Sequence, residues 1–176
     1  SKDAWLADHC PTFTVPALPM MSMVDRLAGA AGLTAPFTLR DVQVHRWVTV
    51  DPAARLHCEK HGNGVELQVF RTARDERLSR FERAASASFE AGAPEPKTFA
   101  PLENAQPTAD PYATGELFHG PAFQLLRRRA IGSNGAEGDL AASKLDVPYG
   151  NLHQGLLDGA THVLPHDRLH LFDPRI

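Results

Sequence analysis

An α+β fold, in which one apolar helix is wrapped by a curled antiparallel sheet before the arrangement starts again, is predicted by three observations. A helical apolar pattern begins after Pro19. Several segments with strand character follow it, two of them joined by the turn-forming run His61-Gly62-Asn63-Gly64. After a proline-rich stretch, the order strand then helix returns. Periodicity that changes from helical to alternating is the primary signal here.

The elements follow in order. Thr12 to Val15 reads as a short extended lead-in, and Pro19 suits the first position of a helix through Met20, Met21, Met23, Val24, Leu27 and Ala28. That apolar spacing covers most of the circumference, which predicts a helix buried all round, and Gly32 ends it. Phe37 to Val48 alternates apolar and polar residues, as a half-buried strand does. Arg55 to Lys60 and Val65 to Arg71 form a hairpin pair, and Phe81 to Phe89 gives a further strand rich in small residues. From Ala91 to Pro111 the chain holds Pro94, Pro96, Pro101, Pro107 and Pro111 with little periodicity and reads as a linker. Beyond it come a strand at Phe123 to Ile131, a turn at Gly132-Ser133-Asn134-Gly135, a strand at Glu137 to Leu145 and a helix from about Leu152 to Leu164. The organisation is therefore a first half over 1–95, a linker over 96–110 and a partial second half over 111–176.

Composition narrows the function classes. The 176 residues, 43% hydrophobic and 22% charged, are ordinary for a globular protein. A formal charge of −3 gives no global reason to bind nucleic acid or an anionic membrane. No apolar run approaches the roughly 20 residues of a membrane-spanning helix. The two cysteines, Cys10 and Cys58, form no CxxC pattern and there is no secretory signal, so a disulfide framework is not expected and a reducing cytoplasm fits.

Candidate chemistry sits in two distant segments. His9 precedes Cys10-Pro11 and the apolar helix, while Leu156-Leu157-Asp158-Gly159-Ala160-Thr161-His162 places a carboxylate on the other. Imidazole, with an ordinary pKa near 6.5, suits a general base. A carboxyl held among apolar residues favours its neutral form and can serve as a general acid. His162 follows Asp158 by four residues and so shares its helix face, where it can orient the carboxyl or a substrate hydroxyl. A weak internal repeat aligns Asp25, six residues after Pro19, with Asp158, five after His153. No histidine in the second half matches His9, which implies one site per pair of halves.

Together with Phe118-His119-Gly120-Pro121-Ala122-Phe123, these segments resemble the dehydratase domains of polyketide synthases and of polyunsaturated-fatty-acid-type synthases. The resemblance spans nearly the whole chain and implies a double hotdog fold whose second repeat is incomplete, with further strands expected after Ile176. It implies removal of water from a 3-hydroxyacyl thioester on an acyl carrier protein, giving a 2-enoyl thioester. His9 would be the base, Asp158 the acid and His162 the orienting partner, with Pro19, Phe118, His119, Gly120, Pro121 and Phe123 lining the substrate. No metal and no cofactor is implied beyond the phosphopantetheine arm of the carrier. The partners would be that carrier and other synthase domains, with a homodimer as one way to cover an open sheet edge. The pattern departs from the family at three places. Phe13 stands where many members have Gly four residues after the histidine, Pro19 comes ten rather than nine after it, and His119 replaces the usual Tyr. The alternatives are a non-catalytic dehydratase-like structural domain and a hotdog thioesterase.

Other residues carry blander readings. Cys10 neighbours His9 in an extended segment, where successive side chains point apart, and reads as structural. His162, His166 and His170 recur every four residues, but Pro165 interrupts the helix that a metal site would need. Arg127-Arg128-Arg129 reads as a solvated strand face, the methionines as core filling, and Asp25 as structural.

Overall fold

The computed structural model describes residues 4–11, 15–141 and 150–165. A short 3-10 helix, Ala4–Asp8, leads through His9 to helix α1, Met20–Ala31. The start of α1 is pinned where Ala17 bridges Thr49 and the Leu18 amide donates to the Val48 carbonyl at 2.8 Å. Its end is set by Gly32, which adopts the left-handed φ of 64° and returns its amide to Gly29.

Four strands, β1 (Phe37–Val44), β2 (Leu56–His61), β3 (Gly64–Arg71) and β4 (Arg80–Ala91), form an antiparallel sheet in the order β1-β4-β3-β2. The hairpin between β2 and β3 is the expected one. His61 pairs with Gly64 across Gly62-Asn63, and Gly62 takes the positive φ of 60° that a two-residue turn asks of its first central residue. In β4 the register slips so that Leu67 pairs with Ala85 but Gln68 with Arg83, leaving Ala84 as a bulge. Ala84 and Ala85 are consequently both fully buried. The bulge bends the strand, and the two methyl side chains leave room for α1 against the sheet. The core so formed joins Leu18, Met23 and Leu27 with Val65, Leu67 and Val69. Burying a side chain such as Leu27 or Leu67 completely is worth roughly 1.5–3 kcal/mol.

Two expectations are corrected here. Helix α1 is not buried all round, because it lies on one face of the sheet: Ser22, Met23, Asp25, Leu27, Ala28 and Ala31 face inward, while Met20, Arg26 and Gly29 are exposed. Strand β1 stops at Val44 and is not half-buried along its length. It is an edge strand bulged between Arg40 and Gln43, with Asp41 at φ 52°, and Val42 in the bulge and Val44 and Trp47 past it face solvent. Of the apolar residues within β1, Leu39 packs on the core, and Val48, beyond the strand's end, is buried in it.

A second, three-stranded sheet has the order β5-β6-β7, from β5 (Gln106–Pro107), β6 (Leu126–Ile131) and β7 (Ala136–Leu140). The proline-rich segment is thus more than a spacer, since it supplies β5. Strand β6 begins later than expected because Pro121–Phe123 forms a 3-10 turn with Pro121 in its first turn. The turn at Gly132-Ser133-Asn134-Gly135 forms, with the Gly132 amide donating to the Gly135 carbonyl. Of the strand expected over Glu137 to Leu145, the part from 142 lies outside the described residues. Helix α2 is Gln154–Thr161, capped by the His153 Nδ1, which accepts from the Leu156 amide. It rests on the second sheet through Gly159, where an added Cβ would sit 3.4 Å from Leu125 and Leu140 side-chain atoms. Leu157 and Ala160 remain exposed on its outer side. Arg129 does not face water as expected. It is 5% exposed and its guanidinium grips both Glu116 carboxylate oxygens, at 2.8 and 2.6 Å. No helix among the described residues is long and apolar enough to cross a membrane.

Candidate active site

Two helices and two 3-10 segments bring the candidate residues together. Helix α1 meets α2 through buried polar contacts: the Ser22 hydroxyl donates to the Gln154 Oε1 at 2.6 Å, and the Asp25 Oδ1 accepts the Leu152 amide at 2.7 Å. Asp25 thereby holds the N-terminal approach to α2, and a Cβ on Gly150 would force the Asp25 carboxylate to shift. This is the structural role expected of Asp25. Because an amide oxygen can still accept the Leu152 N–H, Asp25→Asn is expected to retain at least about half of any turnover and to lose no more than ~1 kcal/mol of stability in a urea titration. A loss of activity comparable to that of a reacting group would instead place Asp25 in the chemistry.

The N-terminal segment is clamped onto the 3-10 turn of the second half by Asp8. Its carbonyl accepts the Gly120 amide and its carboxylate the Ala122 amide, both at 2.8 Å. The approach is so close that a Cβ on Gly120 would overlap the Asp8 carboxylate. Asp8 therefore sets the position of the next residue, His9, against the residues around Gly120.

His9 is 5% exposed. Its Nδ1 lies 3.0 Å from the Ala17 carbonyl, which fixes that nitrogen as the donor and leaves Nε2 with the lone pair. Burial pushes its pKa below 6.5, opposed by the Ala17 carbonyl and by the charge of Asp158. Around it stand Phe118, whose ring meets the imidazole edge-on at 5.3 Å, and Phe123 at 5.6 Å. One nitrogen of His9, one of His119 and a carboxylate oxygen of Asp158 all lie within 4.8 Å of one another. His9 and Asp158 therefore converge from opposite halves of the chain.

Asp158 is 6% exposed, and its Oδ2 is buried without a hydrogen bond. The same oxygen is 3.3 Å from His162 Nε2 and 3.6 Å from His119 Nε2, and those two nitrogens are 3.2 Å apart. His162, four residues after Asp158, does share its helix face. Its far nitrogen, Nδ1, is 2.8 Å from the Tyr112 hydroxyl. Burial pushes the Tyr112 pKa up to about 12, so the phenol stays neutral beside the imidazole.

The other expected site residues fall into two groups. Phe118 is 38% exposed and stacks on His119 at 4.0 Å, so it is the member of the cluster most open to solvent. Gly120 and Pro121 form the turn beside it. Pro19 and Phe123, by contrast, are fully buried. Phe123 packs beside the His9 and His119 rings. Phe13, His166 and His170 lie outside the described residues.

Sequence reading missed two contributors. Tyr112 sits at the edge of the proline-rich stretch, and nothing in its spacing connects it to His162 fifty residues later. Asp8 was hidden by its neighbour, although a carboxylate just before the key histidine is a usable signal once the Gly120 amide is known to need a partner.

Comparison with known proteins finds no matching family model and no matching curated protein. Solved structures do match. A dehydratase domain called GphF Dehydratase 1 superposes with a TM-score of 0.68 at 18% identity, over 95% of this chain and 65% of its own. The dehydratase domain of PpsC from Mycobacterium tuberculosis, in complex with C12:1-CoA, gives 0.65 at 22% identity over 95% and 66%. The dehydratase domain from the CurF module of curacin polyketide synthase gives 0.66 at 17% identity over 92% and 67%. The chain thus shares the hotdog fold of polyketide synthase dehydratase domains and spans about two thirds of the length of each of these structures.

Proposed function

We propose that this chain is the greater part of a dehydratase domain of a polyketide-type synthase, acting on 3-hydroxyacyl thioesters carried by the phosphopantetheine arm of an acyl carrier protein. The observation that carries the reading is the approach of His9 and Asp158 to within 4.8 Å from the two halves of the fold. Two hydrogen bonds of about 2.6–3.2 Å span more than that separation, so one substrate can touch both groups. His9 Nε2 takes the proton from C2, and the C2 electron pair forms the double bond as the C3 oxygen leaves. Asp158 donates its carboxylic proton to that oxygen, and water departs. The Ala17 carbonyl keeps His9 in the tautomer whose Nε2 can accept. His162, backed by Tyr112, orients the carboxyl. The step is complete with two proton transfers and the cleavage of the C3–O bond.

The direction of the His9 shift sets a pH dependence. Protonating His9 removes the base, so kcat/KM falls as the pH drops, and the acid limb is centred below 6.5 because burial lowers this pKa. Asp158 and His162 act on the same ring, the first raising and the second lowering its pKa, within the net lowering by burial. Folding has the same sign: the neutral imidazole's contribution is complete above pH 6.5 and is lost as the pH falls toward the folded value. An acid limb centred at or above 6.5 would contradict His9 as the base.

The reading is tested by giving the chain a 3-hydroxyacyl thioester of a short pantetheine mimic and resolving the products by mass spectrometry. A 2-enoyl thioester, lighter by one water, supports it. Free acid and thiol would establish a thioesterase, and unchanged substrate with a folded protein would establish a non-catalytic domain.

A further inference from the structure

We propose that His119, His162 and Asp158, completed by His9, form a binding site for one divalent transition-metal ion of the zinc type, and that the bound ion blocks the acid/base pair. The blocking half rests on the dehydratase reading; the binding half does not.

The geometry carries the site. Zinc bonds of about 2.0–2.1 Å to nitrogen and 2.0–2.2 Å to oxygen, arranged tetrahedrally, put neighbouring donor atoms roughly 3.3–3.5 Å apart. The three observed separations are 3.2 Å between the two Nε2 atoms, 3.3 Å from His162 to Asp158 Oδ2 and 3.6 Å from His119 to the same oxygen. They outline one face of such a tetrahedron. His9 offers a nitrogen within 4.8 Å of a His119 nitrogen and an Asp158 carboxylate oxygen, near enough to be drawn in as the fourth ligand.

The surroundings suit metal ligands as well. Asp158 Oδ2 is buried, without a hydrogen bond, and lies against both imidazoles. Ligating histidines are held through their other nitrogen, and here His9 Nδ1 is held by the Ala17 carbonyl and His162 Nδ1 by the Tyr112 hydroxyl. Three imidazoles and one carboxylate favour zinc, cobalt, nickel or copper over magnesium and calcium, which take oxygen ligands. His119 is the residue that completes the face, with its Nε2 3.2 Å from His162 Nε2 and 3.6 Å from Asp158 Oδ2. An ion in this place occupies the His9 lone pair and the Asp158 oxygen together, so neither can exchange a proton with substrate.

The test uses the full chain freed of metal with a chelator. Zinc is titrated calorimetrically, and cobalt(II) is titrated with its visible absorption as the reporter of coordination. The expected result is one ion per chain with a submicromolar Kd and an intense, tetrahedral-type cobalt spectrum. His119→Tyr and His162→Gln, each shown to be folded by circular dichroism, should lose both. Tyr112→Phe should weaken binding by about 10–100-fold, whereas His57→Ala on the outer sheet should change nothing. No saturable binding, millimolar binding only, or binding unaltered in both ligand variants would overturn the site. For the blocking half, one equivalent of zinc should abolish conversion of the 3-hydroxyacyl thioester and chelator should restore it. Turnover that persists at saturating zinc overturns blocking alone, and a chain that binds zinc but never dehydrates the thioester overturns the dehydratase reading while the site stands.

Discussion

Replacing His9 with alanine is expected to lower dehydration of a 3-hydroxyacyl thioester by roughly 10²–10⁴-fold, the usual contribution of a positioned base. The fold should survive. The change removes one hydrogen bond, to the Ala17 carbonyl, and ring contacts with Phe118 and Phe123. The lost hydrogen bond costs on the order of 1 kcal/mol, and Asp8 still clamps the segment through the Gly120 and Ala122 amides. Stopped-time product assays beside a urea titration separate the two effects. Turnover within a few-fold of the parent chain would remove His9 from the mechanism.

Asp158→Asn is expected to cost a similar factor, about 10²–10⁴, for a different reason. The amide preserves size and the helix position between the histidines, yet it has no carboxylic proton to give to the departing hydroxyl. Because catalysis is lost through the proton and not through binding, kcat should fall while KM changes little. A variant that raises KM and leaves kcat alone would make Asp158 a binding residue only.

Much of the fold was legible because local chemistry decides it. The limits of α1 follow from Pro19 and Gly32, and the β2–β3 hairpin from Gly62-Asn63, where backbone conformation and sequence agree. The alternation through Phe37 to Val48 misled because burial of an edge strand depends on what covers it. The bulge near Asp41 turns its apolar residues outward, and no local pattern announces that. Arg129 misled in the opposite sense, since its partner Glu116 lies thirteen residues back and is brought close only by the fold. The pair His9 and Asp158 could be singled out by their order and flanking residues. The cluster around them could not, because His119 and Tyr112 join His162 only after two separate segments fold onto α2.

The most direct measurement is a double-mutant cycle on kcat/KM for a 3-hydroxyacyl thioester, comparing the parent chain with His9→Ala, Asp158→Asn and the two combined. A base and an acid that act in one concerted removal of water are non-additive, so the double variant should be no more than a few-fold slower than the slower single one. Losses that simply multiply would mean that the two groups act independently, and this would contradict a shared site at the junction of the two halves.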